Sequence, residues 1–352
     1  MRMNLKQLIA TGLDRSGLLL FLRRYHASRA GIILTLHRVV RGGEQADPSD
    51  PRLVLHDSIF EELLLLLRQE FQPVSLHQLL RHPESTDGRQ RVALTFDDGW
   101  EDTYSVAYPL LLRHRVPATV FLCTGLVGTR QTLPEDRFAR LWRACMRREQ
   151  TQLLTGDLRQ WGASASVSQS YQDWVGHLNK LPMEAKLLML SHLENTYAVA
   201  APPERRFLSW EEAQEMTRNG ITFGSHSIRH STLTTEKREV VIQEMTGSRE
   251  AIEDRLGIKV DYLAYPNGAY DQRVMYLARE AGYTHGFASS RGWMNRATDP
   301  MAIPRVVLDD ARLMGRSSML HASRTRLCLQ PKPAIHRFVH LATNWACAAP
   351  GL

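Results

Sequence analysis

The chain has 352 residues, of which 43% are apolar and 23% are charged, and its formal net charge is +7. This length and composition are those of a globular protein of one large or two ordinary domains, which excludes a wholly disordered chain. No apolar run approaches the roughly 18 residues of a membrane-spanning helix, so a polytopic membrane protein is excluded too.

The positive charge lies at the two ends of the sequence. Residues 1–40 and residues 311–352 each carry a net charge of +6, which leaves −5 for residues 41–310. A nucleic-acid-binding protein would need a basic face on its main domain, so we expect no nucleic-acid partner. Two basic ends instead favour peripheral association with an anionic membrane surface.

Residues 1–30 predict a basic amphipathic segment. Leu5, Leu8, Ile9 and Leu13 follow a helical period, as in an interfacial membrane helix or in a helix packed on the domain. The apolar run at 18–22 is shorter than the 7–15 residues, roughly, of a secretory signal, so we expect no cleavable signal. The cysteines have no paired spacing, and we expect a cytoplasmic protein, peripheral on the inner face of the membrane.

Residues 31–312 predict one α/β domain. Short apolar runs, typical of buried strands, alternate with helical patterns, which indicates a mainly parallel sheet covered by helices. With about seven strands, the leading arrangement is a distorted (β/α) barrel. The predicted strands are 31–36, 92–96, 118–122, 221–225, 262–265, 284–288 and 303–308.

Two further segments depart from this alternation. Residues 133–206 contain helical patterns but no strand, which predicts a helical insertion between the third and fourth strands. Such an insertion either covers a site at the strand ends or contributes stability alone. Residues 313–352 form a basic C-terminal tail.

Two motifs carry the chemistry of this sequence. Asp97 and Asp98 directly follow the second strand, and His226 and His230 directly follow the fourth. Alone, the first motif is an ordinary turn and the second a pair of surface histidines. Together, at the ends of parallel strands, one carboxylate and two imidazoles predict a metal site with open positions for water and substrate.

These motifs resemble those of the polysaccharide deacetylases of carbohydrate esterase family 4. The resemblance rests on TFDDG at 95–99, HSIRH at 226–230 and AYPNG at 264–268. It implies a metal-dependent hydrolase that removes N-acetyl groups from the amino sugars of a glycan. Asp97 would be the general base, while Asp98, His226 and His230 would hold a divalent metal, with zinc expected before other transition metals.

The third motif departs from the family pattern at two positions. Ala264 stands where the family has an arginine that steadies the base, and Arg305 at the last strand is the substitute that we predict. Asn267 replaces an aromatic residue whose backbone N–H faces the oxyanion, a role that the Asn267 N–H can retain.

The family also requires a histidine that acts as the acid. His37 ends the first strand, as in circularly permuted members, and we prefer it to His321, which lies in a loose Leu-x-His setting. Two other functions stay open. One is hydrolysis of another C–N bond, such as a formamide or a cyclic imide, and the other is a catalytically silent carbohydrate-binding or scaffold protein.

Overall fold

The seven predicted strands are confirmed. The computed structural model describes residues 11–21, 30–42, 53–161, 170–309, 313, 320 and 322–329. Helical residues at 11–15 and 18–21 precede the first strand. Up to the third large strand, the elements are β1 (Ile32–Leu36), β2 (Arg38–Val40), β3 (Val54–His56), α1 (Asp57–Glu70), β4 (Gln72–Pro73), α2 (Leu76–Arg81), β5 (Arg91–Phe96), a π-helical turn (Thr103–Ala107), α3 (Tyr108–His114) and β6 (Ala118–Leu122).

A group of four helices then separates β6 from the next strand. These helices are α4 (Pro134–Arg147), α5 (Thr151–Arg159), α6 (Tyr171–Leu178) and α7 (Met183–Thr196). They have their own apolar core, which contains Phe138, Leu141, Leu190 and Leu193. The predicted helical insertion is therefore present, and its described residues contain no strand.

The second half of the barrel repeats the alternation of helix and strand. Its elements are α8 (Trp210–Arg218), β7 (Thr222–Ser225), a 3-10 turn (Leu233–Thr235), α9 (Arg238–Leu256), β8 (Tyr262–Ala264), a second 3-10 turn (Pro266–Gly268), α10 (Gln272–Glu280), β9 (His285–Phe287), β10 (Val306–Val307) and α11 (Ala322–Cys328). Ser209 and Glu212 form the expected capping box at the start of α8.

All pairs in the main sheet are parallel, in the order β10-β1-β5-β6-β7-β8-β9, with β4 added beside β5. A parallel bridge between Phe287 and Ile303 links the two ends of this order, as in a distorted barrel. β2, β3 and β4 are not among the predicted strands, because strands of two or three residues leave no periodic signal in the sequence.

The strands are short and almost wholly buried. Five consecutive residues of β1 and five of β6 are inaccessible, as expected for a sheet with both faces covered. Since all the strands run parallel, their carboxyl ends meet at one face of the barrel, which is where the chemically active side chains lie. β1 lies between β10 and β5, so the first strand completes the sheet beside the last. The permuted strand order that the resemblance implies stays a prediction.

Candidate active site

The predicted site residues line one cavity at the carboxyl ends of the strands. It has a volume of about 410 Å³. Each of the six residues lies in a segment that follows a strand: β1, β5, β7 or β8. Those that line the cavity are His37, Asp97, Asp98, His226, His230 and Asn267.

Asp98, His226 and His230 converge as a metal-binding group would require. Each offers a ligand atom within 4.8 Å of the others, and all three residues are buried. Asp98 Oδ1 lies 3.5 Å from His226 Nε2 and 3.7 Å from His230 Nε2. This oxygen is buried without a hydrogen bond to any described residue. A buried, unpaired carboxylate oxygen facing two imidazoles is an unfavourable arrangement that a divalent cation would relieve, so these residues fit a metal.

The protonation of His226 also suits a ligand. Its Nδ1 donates to the carbonyl oxygen of Ala264 at 2.8 Å, which leaves Nε2 facing Asp98. Burial lowers the pKa of His226 to about 4, so the imidazole is neutral, which is the form that binds metals.

The backbone is bent to aim these side chains. Asp98 and His230 have φ values of 73° and 61°, in the left-handed region that non-glycine residues rarely adopt. Gly99 follows Asp98 with φ 79°, and a Cβ there would lie 2.6 Å from Leu122 Cδ2. Glycine is therefore required at position 99 both for its conformation and for close packing against β6.

Asp97 is held by Arg305, as predicted for the missing arginine of the third motif. Arg305 Nη1 and Nη2 each donate to one oxygen of Asp97 at 2.7 Å. The guanidinium is fully buried, and its Nε donates to the carbonyl oxygen of Ala288. Burial raises the pKa of Asp97, but the charge and hydrogen bonds of Arg305, together with the nearby His226 and His37, more than offset this effect, so that the pKa falls to about 2. Asp97 is therefore ionised at neutral pH, as a base must be.

His37 lies in the cavity wall directly after β1. Its Nδ1 is buried without a hydrogen bond to any described residue, so no fixed partner competes for that nitrogen. His321, the other predicted acid, lies outside the described residues.

Asn267 is anchored from two sides. Its backbone is left-handed, with φ 57°. Its Nδ2 donates to Thr232 Oγ1 at 3.0 Å, and its Oδ1 accepts a hydrogen bond from Asn179 Nδ2 at 3.2 Å. These contacts fix the turn after β8 and hold its backbone at the cavity wall.

The helical insertion also contributes to the cavity wall, although none of its residues was predicted to belong to the site. α4 contributes Glu135 and Asp136, and the segment at α6 contributes Tyr171, Val175 and Asn179. Burial raises the pKa of Asp136 to about 7. The available signal was the acidic pair in the first turn of α4, but such pairs are common at helix N-termini because the helix dipole favours them.

Comparison with known proteins identifies related chains. The family model "Polysaccharide deacetylase" matches residues 84–286. YxkH of Bacillus subtilis (strain 168), provisionally named as a polysaccharide deacetylase, is 26% identical over 137 residues. That match covers 39% of this chain and 46% of YxkH, so the chain spans less than half of that relative's length.

Solved structures share the fold at low sequence identity. Streptococcus pyogenes deacetylase PplD, solved with acetate, matches with a TM-score of 0.55 and 18% identity, over 86% of this chain and 99% of that one. IcaB from Ammonifex degensii matches with a TM-score of 0.53 and 17% identity, over 86% and 97%. At these identities the likeness concerns the fold alone.

Proposed function

Since the chain belongs to the polysaccharide deacetylase family, we propose that it is a metal-dependent hydrolase that removes N-acetyl groups from amino sugars of a polysaccharide or glycoconjugate. One observation carries the proposal. A buried Asp98–His226–His230 group lies in the same cavity as Asp97, an ionised carboxylate clamped by Arg305. This is the combination of ligand set and base that metal-assisted hydrolysis needs.

Asp98, His226 and His230 would hold the metal, with zinc favoured because neutral imidazole and carboxylate oxygen suit it. When bound, the ion supplies Lewis acidity to the acetamide carbonyl and to water. Asp97 accepts a proton from the attacking water as the water oxygen bonds to the carbonyl carbon. Arg305 donates one hydrogen bond to each oxygen of Asp97 and so fixes the orientation of the carboxylate.

Asn267 and His37 act on the charges that develop on the carbonyl oxygen and on the leaving nitrogen. The backbone N–H of Asn267 donates to the developing oxyanion. His37 gives a proton to the sugar nitrogen as the C–N bond breaks. The products are a free amino sugar and acetic acid. The proton that the acid loses on becoming acetate restores His37, and Asp97 releases to solvent the proton that it took from water.

The assay that tests this function measures products. Metal-stripped protein is reloaded with Zn²⁺ and given a panel of N-acetylated oligosaccharides, with formamide and cyclic-imide compounds as alternatives. We expect metal-dependent acetate release. Release of formate or a ring-opened acid would favour hydrolysis of another C–N bond. Sugar binding without metal-dependent turnover would favour a silent module.

We further propose peripheral binding to anionic membranes through the N-terminal segment. Among the described residues, no helix has both the length and the apolarity to cross a membrane. The helical residues at 18–21 bury Leu19 but leave Leu20 and Phe21 41% and 64% exposed. Arg15, one of the basic residues of this end, lines a surface cavity together with Leu20. Exposed apolar side chains beside basic ones suit a headgroup surface.

The membrane proposal is tested by sedimentation with anionic vesicles. The double variant Leu20→Glu with Phe21→Glu should lose binding and keep its activity on soluble substrates. Leu188→Glu alters a leucine of the insertion that is as exposed as Phe21, at 64%, and this variant should bind vesicles as the wild type does. Unchanged vesicle binding by the double variant would contradict the proposal.

A further inference from the structure

The two histidines of the metal group are oriented by different parts of the molecule. His226 donates to a backbone carbonyl, that of Ala264, which belongs to the barrel. His230 has its Nε2 towards Asp98, and its Nδ1 lies 3.5 Å from Glu135 Oε2. Glu135 is in the first turn of α4, so its carboxylate reaches His230 from the helical insertion.

A buried lysine stands behind this carboxylate. Lys186 of α7 is fully buried, and its Nζ lies 3.7 Å from Glu135 Oε1. Among the described residues, the two oxygens of Glu135, Lys186 Nζ and His230 Nδ1 are buried and have no hydrogen-bond partner, so they meet one another only at ion-pair distances. The three side chains therefore lie in a row, in which Glu135 faces Lys186 on one side and His230 on the other.

Burying these charged groups lowers the folding stability of the protein. Burying a carboxylate and an ammonium group removes both from water, and their attraction repays this only in part. The Glu135 carboxylate lies beside the ring nitrogen of His230 that does not face Asp98.

We propose that Glu135 is a positioning residue for His230, and that the helical insertion completes the metal centre through it. This inference rests on the proposed function. Metal-binding histidines commonly donate their second ring N–H to a carboxylate or a carbonyl, which fixes the tautomer and the ring direction. Ala264 does this for His226 through a 2.8 Å hydrogen bond, and the Glu135 carboxylate is the group placed at the corresponding nitrogen of His230, with Oε2 3.5 Å from Nδ1. Glu135 is not one of the converging ligands, so it acts through the imidazole.

The insertion provides a matched control. Glu194 of α7 pairs with Arg137 of α4 at 2.6 Å, so it joins the same two helices as the Glu135–Lys186 pair. Glu135→Gln and Glu194→Gln each remove one carboxylate charge between α4 and α7, but only the first changes a group beside His230. A general loosening of the insertion would affect both variants alike.

The experiment measures zinc affinity without substrate. Full-length protein is stripped of metal, and its Kd for Zn²⁺ is measured by competition with a chromophoric chelator. Glu135→Gln should raise the Kd about 10- to 100-fold, the usual effect of losing such a partner. Glu194→Gln should leave it within about 2-fold, and the visible spectrum of the Co²⁺-loaded protein should change only in the Glu135 variant.

A second variant controls for unfolding of the insertion by an unpaired buried charge. Glu135→Gln with Lys186→Met removes both buried charges, so no unpaired charge remains to unfold the insertion. It should show the same loss of zinc affinity. Wild-type affinity in this folded double variant, or an equal loss in Glu194→Gln, would overturn the inference and leave the proposed function intact. If the wild-type protein bound no zinc, or if Asp98→Asn left its zinc binding unchanged, both the inference and the proposed function would be overturned.

Discussion

Arg305 grips Asp97 through two hydrogen bonds of 2.7 Å, although 208 residues separate them in the sequence. Arg305 comes directly before β10, and Asp97 directly follows β5, with β1 between these two strands. The guanidinium also lies 5.5 Å from the centre of the Phe121 ring. The base of the proposed reaction is therefore held by a residue that is distant in the sequence and lies beside the last strand of the sheet.

Arg305→Met should damage both stability and the pH profile. It leaves the Asp97 carboxylate buried without a cation, which should cost about 3–5 kcal/mol of unfolding free energy. The pKa of Asp97, now held at about 2, should rise, because burial favours the protonated acid. A base works only when deprotonated, so the acid limb of kcat/KM should move to higher pH.

Arg205→Met is the control for Arg305→Met. Arg205 also grips a carboxylate with two hydrogen bonds, to Glu212, but at a partly exposed place away from the cavity. Loss of the Arg205 side chain should lower the unfolding free energy by about 1 kcal/mol or less and leave the pH profile of kcat/KM unchanged. An Arg305→Met variant with an unchanged acid limb would show that Arg305 does not tune the base.

His37→Ala should separate amide hydrolysis from ester hydrolysis. Loss of the acid should lower kcat on an N-acetylated sugar about 10²- to 10⁴-fold. An aryl acetate has a leaving group that needs no proton, so its hydrolysis should change little. His77→Ala, at an exposed position on α2, is the control. Undiminished amide hydrolysis by His37→Ala would shift the acid role to His321.

Trp100 should matter for metal retention. Its Nε1 donates to Asp98 Oδ2 at 3.0 Å, which turns Oδ1 towards the two histidines. Trp100→Phe keeps an aromatic ring stacked on Phe207 but removes this bond. We expect the Kd for Zn²⁺ to rise roughly 10-fold or more. Trp174→Phe is matched, because Trp174 is as deeply buried and its Nε1 has no hydrogen bond among described residues. Equal zinc affinities in the two variants would contradict the role.

The sequence allowed the strands and the barrel end of the site to be predicted because both depend on local patterns. Apolar runs marked the seven strands, and parallel strands bring their carboxyl ends together, so Asp98, His226 and His230 had to be neighbours. The pairing of Arg305 with Asp97 was predicted only because the third motif lacks its arginine. The sheet order, which places β10 one strand from β5, explains the pairing.

Glu135 could not be found in the same way. It belongs to an insertion whose packing on the barrel follows no strand register, and its neighbours in sequence, Pro134 and Asp136, read as an ordinary helix start. The direction of its carboxylate depends on how α4 and α7 pack together, which brings Lys186 behind it. Tertiary packing of this kind leaves no trace in local composition.

Asp97→Asn tests the central claim most directly. The variant and the wild type are loaded with Zn²⁺, and zinc stoichiometry and acetate release from an N-acetylated oligosaccharide are measured on the same samples. The account predicts unchanged zinc content, because Asp98, His226 and His230 are intact, with acetate release reduced at least about 10²-fold. Undiminished acetate release by Asp97→Asn would contradict it.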